Sequence, residues 1–338
     1  MADVCFIERE EHHDIAGLAD GLIEQIEAAG TETAWPAILE SGLALLCVPQ
    51  TQGGFDDWQA AAIIQRRLAT GRIHVPFSET VAAALPLLAA AGVEGKALPQ
   101  QSAFALDLSW MRPDSLELGQ IRHAGTAKEL LLCRRSASGQ DEIRWISSTE
   151  WAACETYVAA DGVRHGHIRL NSPLADSGTV LFSGTAARAW RDILAARQQA
   201  YGCIALSGYL SALLHLTHEH LITRRQFKRR LADFQALRHR YADMHRACIE
   251  AESLATLAVS AAAILPDADA ARSIALIAPR VLKLAKSVCK EAIQLHGAIA
   301  MTQEYAAGAY VRLVFGTDPL GLAHRARNAR HEQEHACT

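Results

Sequence analysis

The chain has 338 residues, half of them hydrophobic and 21% charged, with a formal net charge of −4. That length supports two or three subdomains around a substantial core, and the near-neutral balance offers no general attraction to nucleic acid or to an acidic membrane. No run of about 18 apolar residues is free of charge, so no membrane span is expected, and the acidic start MADVCFIEREEHHD lacks the apolar core of a secretory signal.

Eight cysteines, at positions 5, 47, 133, 154, 203, 248, 289 and 337, are scattered without a CxxC pair. That spacing argues against a disulfide framework or a zinc knuckle, and it fits a reducing cytoplasm. Alanine and leucine are abundant and aromatics few, which favours helices.

In chain order, residues 7–29 read as an amphipathic helix, with Ile15, Leu18, Leu22, Ile23 and Ile26 at helical spacing. A short helix over Thr33–Ser41 ends at Gly42, and LALLCVPQTQGG then marks a loop through Pro49 and the Gly53-Gly54 pair. Helical patterns resume at Trp58–Ala69 and Ser78–Ala91. After about residue 100 the helical period fades. Ala103–Leu108, Glu129–Cys133, Glu142–Ile146, His167–Leu170 and Thr179–Phe182 read as strands. Ser136–Asp141, with Gly139, is expected to turn, and Gly162 and Gly166 punctuate a second turn.

From about Ala186 the chain is helical again. A first long helix runs to about Thr223, and a second carries Phe234, Leu237, Tyr241, Met244, Cys248 and Leu254 on one face. A third, separated by Pro266 and Asp267, carries Ile274, Ile277, Val281, Leu284, Val288, Ala292 and Leu295 and ends at Gly297. Pro279 either kinks this helix or moves its start. The fold class is therefore mainly α with a small β-domain: a helical domain over 1–100, a β-domain over 101–185 and a four-helix bundle over 186–338.

Two segments of this bundle carry chemistry. The first is Arg224-Arg225-Gln226-Phe227-Lys228-Arg229-Arg230-Leu231-Ala232-Asp233-Phe234-Gln235, and the second is Ala292-Ile293-Gln294-Leu295-His296-Gly297-Ala298, followed by Thr302-Gln303-Glu304-Tyr305. An arginine offers a permanently charged planar fork to a phosphate or pyrophosphate. Gln226, Gln235 and Gln294 offer amide donors and acceptors, Phe227 and Phe234 offer apolar faces, and Gly297 permits close backbone approach.

These segments resemble the acyl-CoA dehydrogenase patterns Arg-x-Gln-Phe-Gly-x-Pro-[Ile/Leu]-x-x-Phe-Gln and Ala-Ile-Gln-x-x-Gly-Gly-x-Gly-x-x-x-Glu-Tyr, and Val48-Pro49 with Gly53-Gly54 resembles the family's Val-Pro-x-x-x-Gly-Gly loop. The resemblance implies the helical, β, helical-bundle architecture and FAD as cofactor. It also implies that Arg224, Gln226, Phe227, Phe234, Gln235, Gln294, Leu295, His296, Gly297 and Ala298 reach across an interface to the flavin of a neighbouring subunit. Four positions depart from the pattern: Lys228 and Ala298 replace glycines, Arg230 replaces proline, and Ala300 replaces the next glycine. Either the methyls of Ala298 and Ala300 crowd a pyrophosphate, or Lys228 and Arg230 instead add charge toward a phosphate.

The family removes the α-proton of the acyl thioester with a glutamate while hydride leaves the β-carbon for the flavin. That glutamate lies either 27 residues after the glutamine of the second pattern, here Gly321, or 29 residues before the phenylalanine of the first, here Gln198. Gly208 agrees with a family glycine in the same register as Gln198. Neither glycine nor glutamine can act as the base, and Asp318 and Asp192 read as ordinary caps or surface charges. The family's Thr-Glu-Pro-x-x-Gly-Ser-Asp loop has no counterpart in ALDLSWMRPDSLELGQ. Trp145-Ile146-Ser147-Ser148 is either similar to a flavin-side Trp-x-Thr/Ser segment or a strand with a core tryptophan.

His215, His218 and His220, and His324, His331 and His335, lack carboxylate partners at metal-ligand spacing, so they read as surface or interface histidines and no metal is expected. The five cations among Arg224–Arg230 suit a phosphate of FAD or CoA, or form a solvated face.

Together these features resemble a non-catalytic subunit of a heteromeric, steroid-type acyl-CoA dehydrogenase. The resemblance implies an α2β2 assembly with a homologous catalytic partner that holds the acyl-CoA, and an electron-transfer flavoprotein as acceptor. A self-sufficient homo-oligomer with a relocated base and a non-enzymatic helical module are the alternatives.

Overall fold

The computed structural model describes residues 13–93, 102–111, 114–136, 138–159, 162–174, 176–264, 268–302 and 304–316. Pro266, Asp267, Gln303, Asp318, Gly321, His324, His331 and His335 lie outside them.

The N-terminal region is helical. α1 (His13–Ala29) buries Ala19, Leu22 and Ile26, and α2 (Ala34–Glu40) buries Trp35 and Ile38. α3 (Trp58–Thr70) starts at an Asp57 cap whose carboxylate accepts the Ala60 N–H at 2.8 Å. The expected helix after Ser78 has two registers, a π-helical turn over Ser78–Ala84 and then α4 (Leu85–Ala90). Pro86, which has no N–H to give the preceding turn, sits just past the change.

Among the described residues the middle region has seven strands: β1 (Phe104–Met111), β2 (Glu117–Arg122), β3 (Glu129–Arg135), β4 (Asp141–Ile146), β5 (Trp151–Val158), β6 (Arg164–Leu170) and β7 (Thr179–Ser183). They form a sheet of order β1-β3-β4-β7, with β1 and β3 parallel, and a second sheet of order β2-β6-β5. Leu118, Ile121, Leu130, Leu132, Ile146, Ile168 and Leu170 pack as one buried cluster between them. Five strands match the sequence expectation. β2 and β5 went unread because β2 carries a register shift between Leu118 and Ile121, and β5 is an edge strand exposed at seven of its eight residues. Gly166 lies within β6 rather than in a turn, and a Cβ there would sit 2.9 Å from the Glu155 carbonyl.

The C-terminal region is a bundle of α5 (Gly184–Thr223), α6 (Gln235–Ile264), α7 (Ala268–His296) and α8 (Ala306–Gly316). A small hairpin, β8 (Arg225–Gln226) with β9 (Arg229–Arg230), joins α5 to α6. α7 runs through Pro279, so the proline does not move its start. Met244, Cys248 and Ala251 of α6 meet Val281, Ala285, Val288 and Ala292 of α7 in the same core as Leu210 and Leu213 of α5.

α5 is long and apolar enough to cross a bilayer, but 61% of its apolar stretch is buried in the fold, as in a core helix. Several contacts tie the N-terminal helices to the bundle. The buried pair Arg66–Glu252, at 3.1 Å, joins α3 to α6, and the Tyr310 hydroxyl donates to the Thr70 carbonyl at 2.5 Å. All six described cysteines are free and five are buried, where burial pushes the Cys47, Cys203, Cys248 and Cys289 thiols up to about 12.

At Gly208 the backbones of α3 and α5 nearly touch, and a Cβ would lie 2.5 Å from the Arg66 carbonyl. Gly208→Ala is expected to cost about 1–3 kcal/mol, read as a lower thermal midpoint. Gly17→Ala, with nothing within 4 Å of the new methyl, is the control expected to leave the midpoint unchanged or raised.

Candidate functional site

The site begins where α5 stops. Arg224 takes an extended conformation (φ −71°, ψ 130°), and its N–H still donates to the His220 carbonyl at 2.9 Å. Arg225 pairs with Arg230 and Gln226 with Arg229, which leaves Phe227 and Lys228 as the two turn residues. Both have positive φ (51° and 65°), as a two-residue hairpin of the primed type requires. The family pattern has glycine at the second of these positions, and the left-handed φ explains why.

Phe227 is 88% exposed at the hairpin tip and meets Phe234 edge-on at 6.5 Å. Phe234 itself precedes α6 as an extended residue, and Gln235 opens the helix with an exposed side chain. Arg230 keeps the φ of −70° that proline would have, but its N–H donates to the Asp233 carboxylate at 3.0 Å. That hydrogen bond, with Arg230 beside it, holds the Asp233 carboxyl below the ordinary range. Arg224, Arg225, Lys228 and Arg229 are exposed and make no ion pair among the described residues. Four cations are therefore free to meet a phosphate.

The second segment ends α7 at the same end of the bundle. Gln294 is exposed, Gly297 closes the helix with φ 71°, and nothing lies within 4 Å of a Cβ placed on it. Ala298 is exposed, whereas the Ala300 methyl is buried, so only the former can crowd a ligand. Leu295 and His296 turn inward, at 5% and 6% exposure, so only their backbone can face a cofactor. The His296 ring lies 4.6 Å from that of His220, which brings the two segments together.

Gln198 lies far from this end, on the side of α5 that faces the π-helical turn. Its amide N–H donates to the Ser78 carbonyl at 2.9 Å, and its amide oxygen accepts from the Ser78 hydroxyl at 3.3 Å. The same hydroxyl is 2.9 Å from the Glu79 carboxylate. Glu79 is 5% exposed and lies 3.6 Å from the Arg122 guanidinium and 3.7 Å from His123 Nε2.

Sequence reading missed this buried carboxylate, since Ser78-Glu79 looks like an ordinary helix start and lies 120 residues from Gln198. Asp192 is exposed and 3.5 Å from Arg191. Trp145 spends its indole N–H on Glu129 at 2.8 Å and packs on a core cluster, which favours its reading as a core tryptophan. A cleft of about 420 Å³ between the β3–β4 hairpin and α5 is lined by Trp110, Arg135, Asp141, Arg188 and Arg191, with Asp141 fully buried between Arg135 and Arg188. His215 is exposed, and His218 rests on Tyr241 at 5.6 Å. Among the described residues no group of three His, Cys, Asp or Glu is placed to hold a metal.

The geometry is thus a long-helix bundle behind a small two-sheet region, with an Arg–Gln–Phe hairpin and a glycine-ended glutamine helix at one end. The profile of "Acyl-CoA dehydrogenase, C-terminal domain" matches residues 187–317. The chain is 31% identical over 313 residues to acyl-CoA dehydrogenase IpdE2 of Mycobacterium tuberculosis, covering 90% of this chain and 86% of that protein. Its fold is similar to that of the ChsE4–ChsE5 complex of Mycobacterium tuberculosis, with a TM-score of 0.75, 18% identity and 100% of each chain covered. A variant of the Tcur3481–Tcur3483 steroid acyl-CoA dehydrogenase gives a TM-score of 0.71 at 20% identity, covering 97% of this chain and 99% of that one. The chain belongs to the acyl-CoA dehydrogenase family.

Two substitutions probe this geometry. Lys228→Gly should relieve left-handed strain and stabilise the chain by about 1 kcal/mol, read by denaturant titration. Gln198→Glu would set a carboxylate against the Ser78 carbonyl and beside Glu79. The new carboxyl should then titrate above its unfolded value, so the variant should match wild type at acid pH and lose about 1–3 kcal/mol as pH rises through the carboxylate range.

Proposed function

We propose that this chain is a subunit of a heteromeric acyl-CoA dehydrogenase that supports FAD held mainly by a homologous partner, and that it performs no proton abstraction itself. The observation that carries this reading is Gln198, an amide bonded through both its nitrogen and its oxygen to Ser78 where the resemblance puts the base; the grip in trans is supported by the separation of the two sites along α5. Gln198 and Arg224 are 26 residues apart on one continuous helix and its cap, roughly 39 Å at the α-helical rise. An extended flavin dinucleotide is shorter than that. A flavin whose pyrophosphate meets Arg224 therefore has its reactive ring elsewhere than beside Gln198 of the same chain.

The exposed residues at the bundle end fit the cofactor. Arg224 would take the pyrophosphate through its fork, with Arg225 or Lys228 adding charge. Gln226, Gln235 and Gln294 would hydrogen-bond ribose or phosphate oxygens. Phe227 and Phe234 would cover the adenine, and the open backbone at Gly297 and Ala298 would let the phosphate approach. When bound, FAD accepts the hydride that leaves the acyl β-carbon. This chain's part is to hold the nucleotide end, while its own Gln198 amide stays bonded to Ser78 and takes no proton.

The two-chain ChsE4–ChsE5 complex and the steroid enzyme, both of this fold, support a homologous partner and a bulky acyl-CoA as substrate in that partner's site. On this reading the assembly is α2β2, its electrons pass to an electron-transfer flavoprotein, and the chain works in the cytoplasm.

A second reading rests on Glu79, the buried carboxylate that shares the Ser78 hydroxyl with Gln198. It would make the chain a self-sufficient flavoenzyme with a relocated base.

One experiment separates the two. The chain is produced alone and with a homologous acyl-CoA dehydrogenase encoded beside it, each with and without Arg224→Ala and Glu79→Gln. The main reading expects turnover only from the pair, a several-fold loss of flavin in the Arg224→Ala pair, and turnover indifferent to Glu79→Gln. A lone chain that turns over, and stops doing so on Glu79→Gln, would establish the second reading instead.

A further inference from the structure

The two cofactor-facing segments come from opposite ends of the bundle sequence, and the contact that joins them is a stack of imidazoles. His220 is in the last turn of α5, and its backbone carbonyl accepts the Arg224 N–H at 2.9 Å. Its ring lies 4.6 Å from that of His296, tilted by 34°, in the last turn of α7. Tyr305 meets His296 edge-on at 5.3 Å from the segment leading into α8. His296 Nδ1 donates its proton to the Ala292 carbonyl at 2.9 Å. Its Nε2 is buried without a hydrogen-bond partner among the described residues. A buried ring nitrogen left unpaired is unfavourable, a cost that a leucine or phenylalanine would not carry.

We propose that His220 and His296 are positioning residues: their stack holds the Arg224 hairpin in register with the Gln294–Ala298 turn, so that both grip one flavin. The inference rests on the trans-flavin reading above. Helix ends fray when nothing anchors them, and both segments hang from helix ends. Through the stack, the α5 terminus that sets Arg224 is fixed to the α7 terminus that sets Gly297.

The arrangement also has a sign in pH. His220 is faced by His296 from α7 and by Arg224 from its own end, and His296 is faced by Tyr305. Burial first, and then the neighbouring His296 and Arg224, hold His220 below its ordinary value. The native stack therefore favours neutral His220. Its contribution is present above the ordinary histidine range and is lost as pH falls through that range.

The test uses the complex of full-length chains and reads the flavin-to-protein ratio from visible absorbance between neutral and mildly acidic pH. Wild-type complex should release flavin on acidification. His220→Ala should lose flavin several-fold at neutral pH. His220→Phe keeps an aromatic ring but cannot be protonated, so it should hold flavin at neutral pH and flatten the acid loss. If Arg224→Ala lowers flavin content while His220→Ala matches wild type at every pH, the positioning role is overturned and the grip stands. An acid loss in His220→Phe identical to that of wild type also overturns it. If Arg224→Ala and His220→Ala both retain full flavin, the grip reading itself has failed.

Discussion

The unbroken length of α5 is the constraint on which the rest depends. Forty residues of one helix carry Gln198, the glycine contact with α3, and the cap that presents Arg224. Because the rod is buried on α3, α6 and α7, its two functional levels cannot approach each other. Chemistry and cofactor grip are therefore separate questions for this chain, and the geometry can lose one while retaining the other.

At the base level the structure is internally satisfied. Gln198 uses both faces of its amide on Ser78, and Ser78 is shared with a buried Glu79 that has Arg122 and His123 close by. An amide suits this place because it must both donate and accept, which a carboxylate cannot do while ionised. At the bundle end the opposite holds. Cations, amides and the Phe227 ring face solvent there with few internal partners.

Much of this was legible in the sequence because the signals were local. The helical periods of α3, α5, α6 and α7 and the caps at Gly42 and Gly297 are written in neighbouring residues, and so are β1, β3, β4 and β6, whose faces are buried, and the short apolar run of β7. β2 and β5 were not, since a strand exposed on both sides or broken by a bulge has no alternation to read. The hairpin at Arg225–Arg230 was hidden for a different reason: lysine stands where a left-handed turn would normally announce itself with glycine. The family patterns located Arg224 and Gln294 but said nothing of which side chains face outward. Only packing shows that Leu295, His296 and Ala300 point inward. Glu79 and the His220–His296 stack were invisible because each joins residues far apart in the chain.

The account stands or falls on whose flavin the bundle end holds. The direct measurement is the flavin stoichiometry of the purified assembly, set beside that of the chain produced alone. The account predicts one FAD per pair of unlike chains and a colourless lone chain. One FAD for every chain, or a lone chain that is purified with flavin at full occupancy, would contradict it.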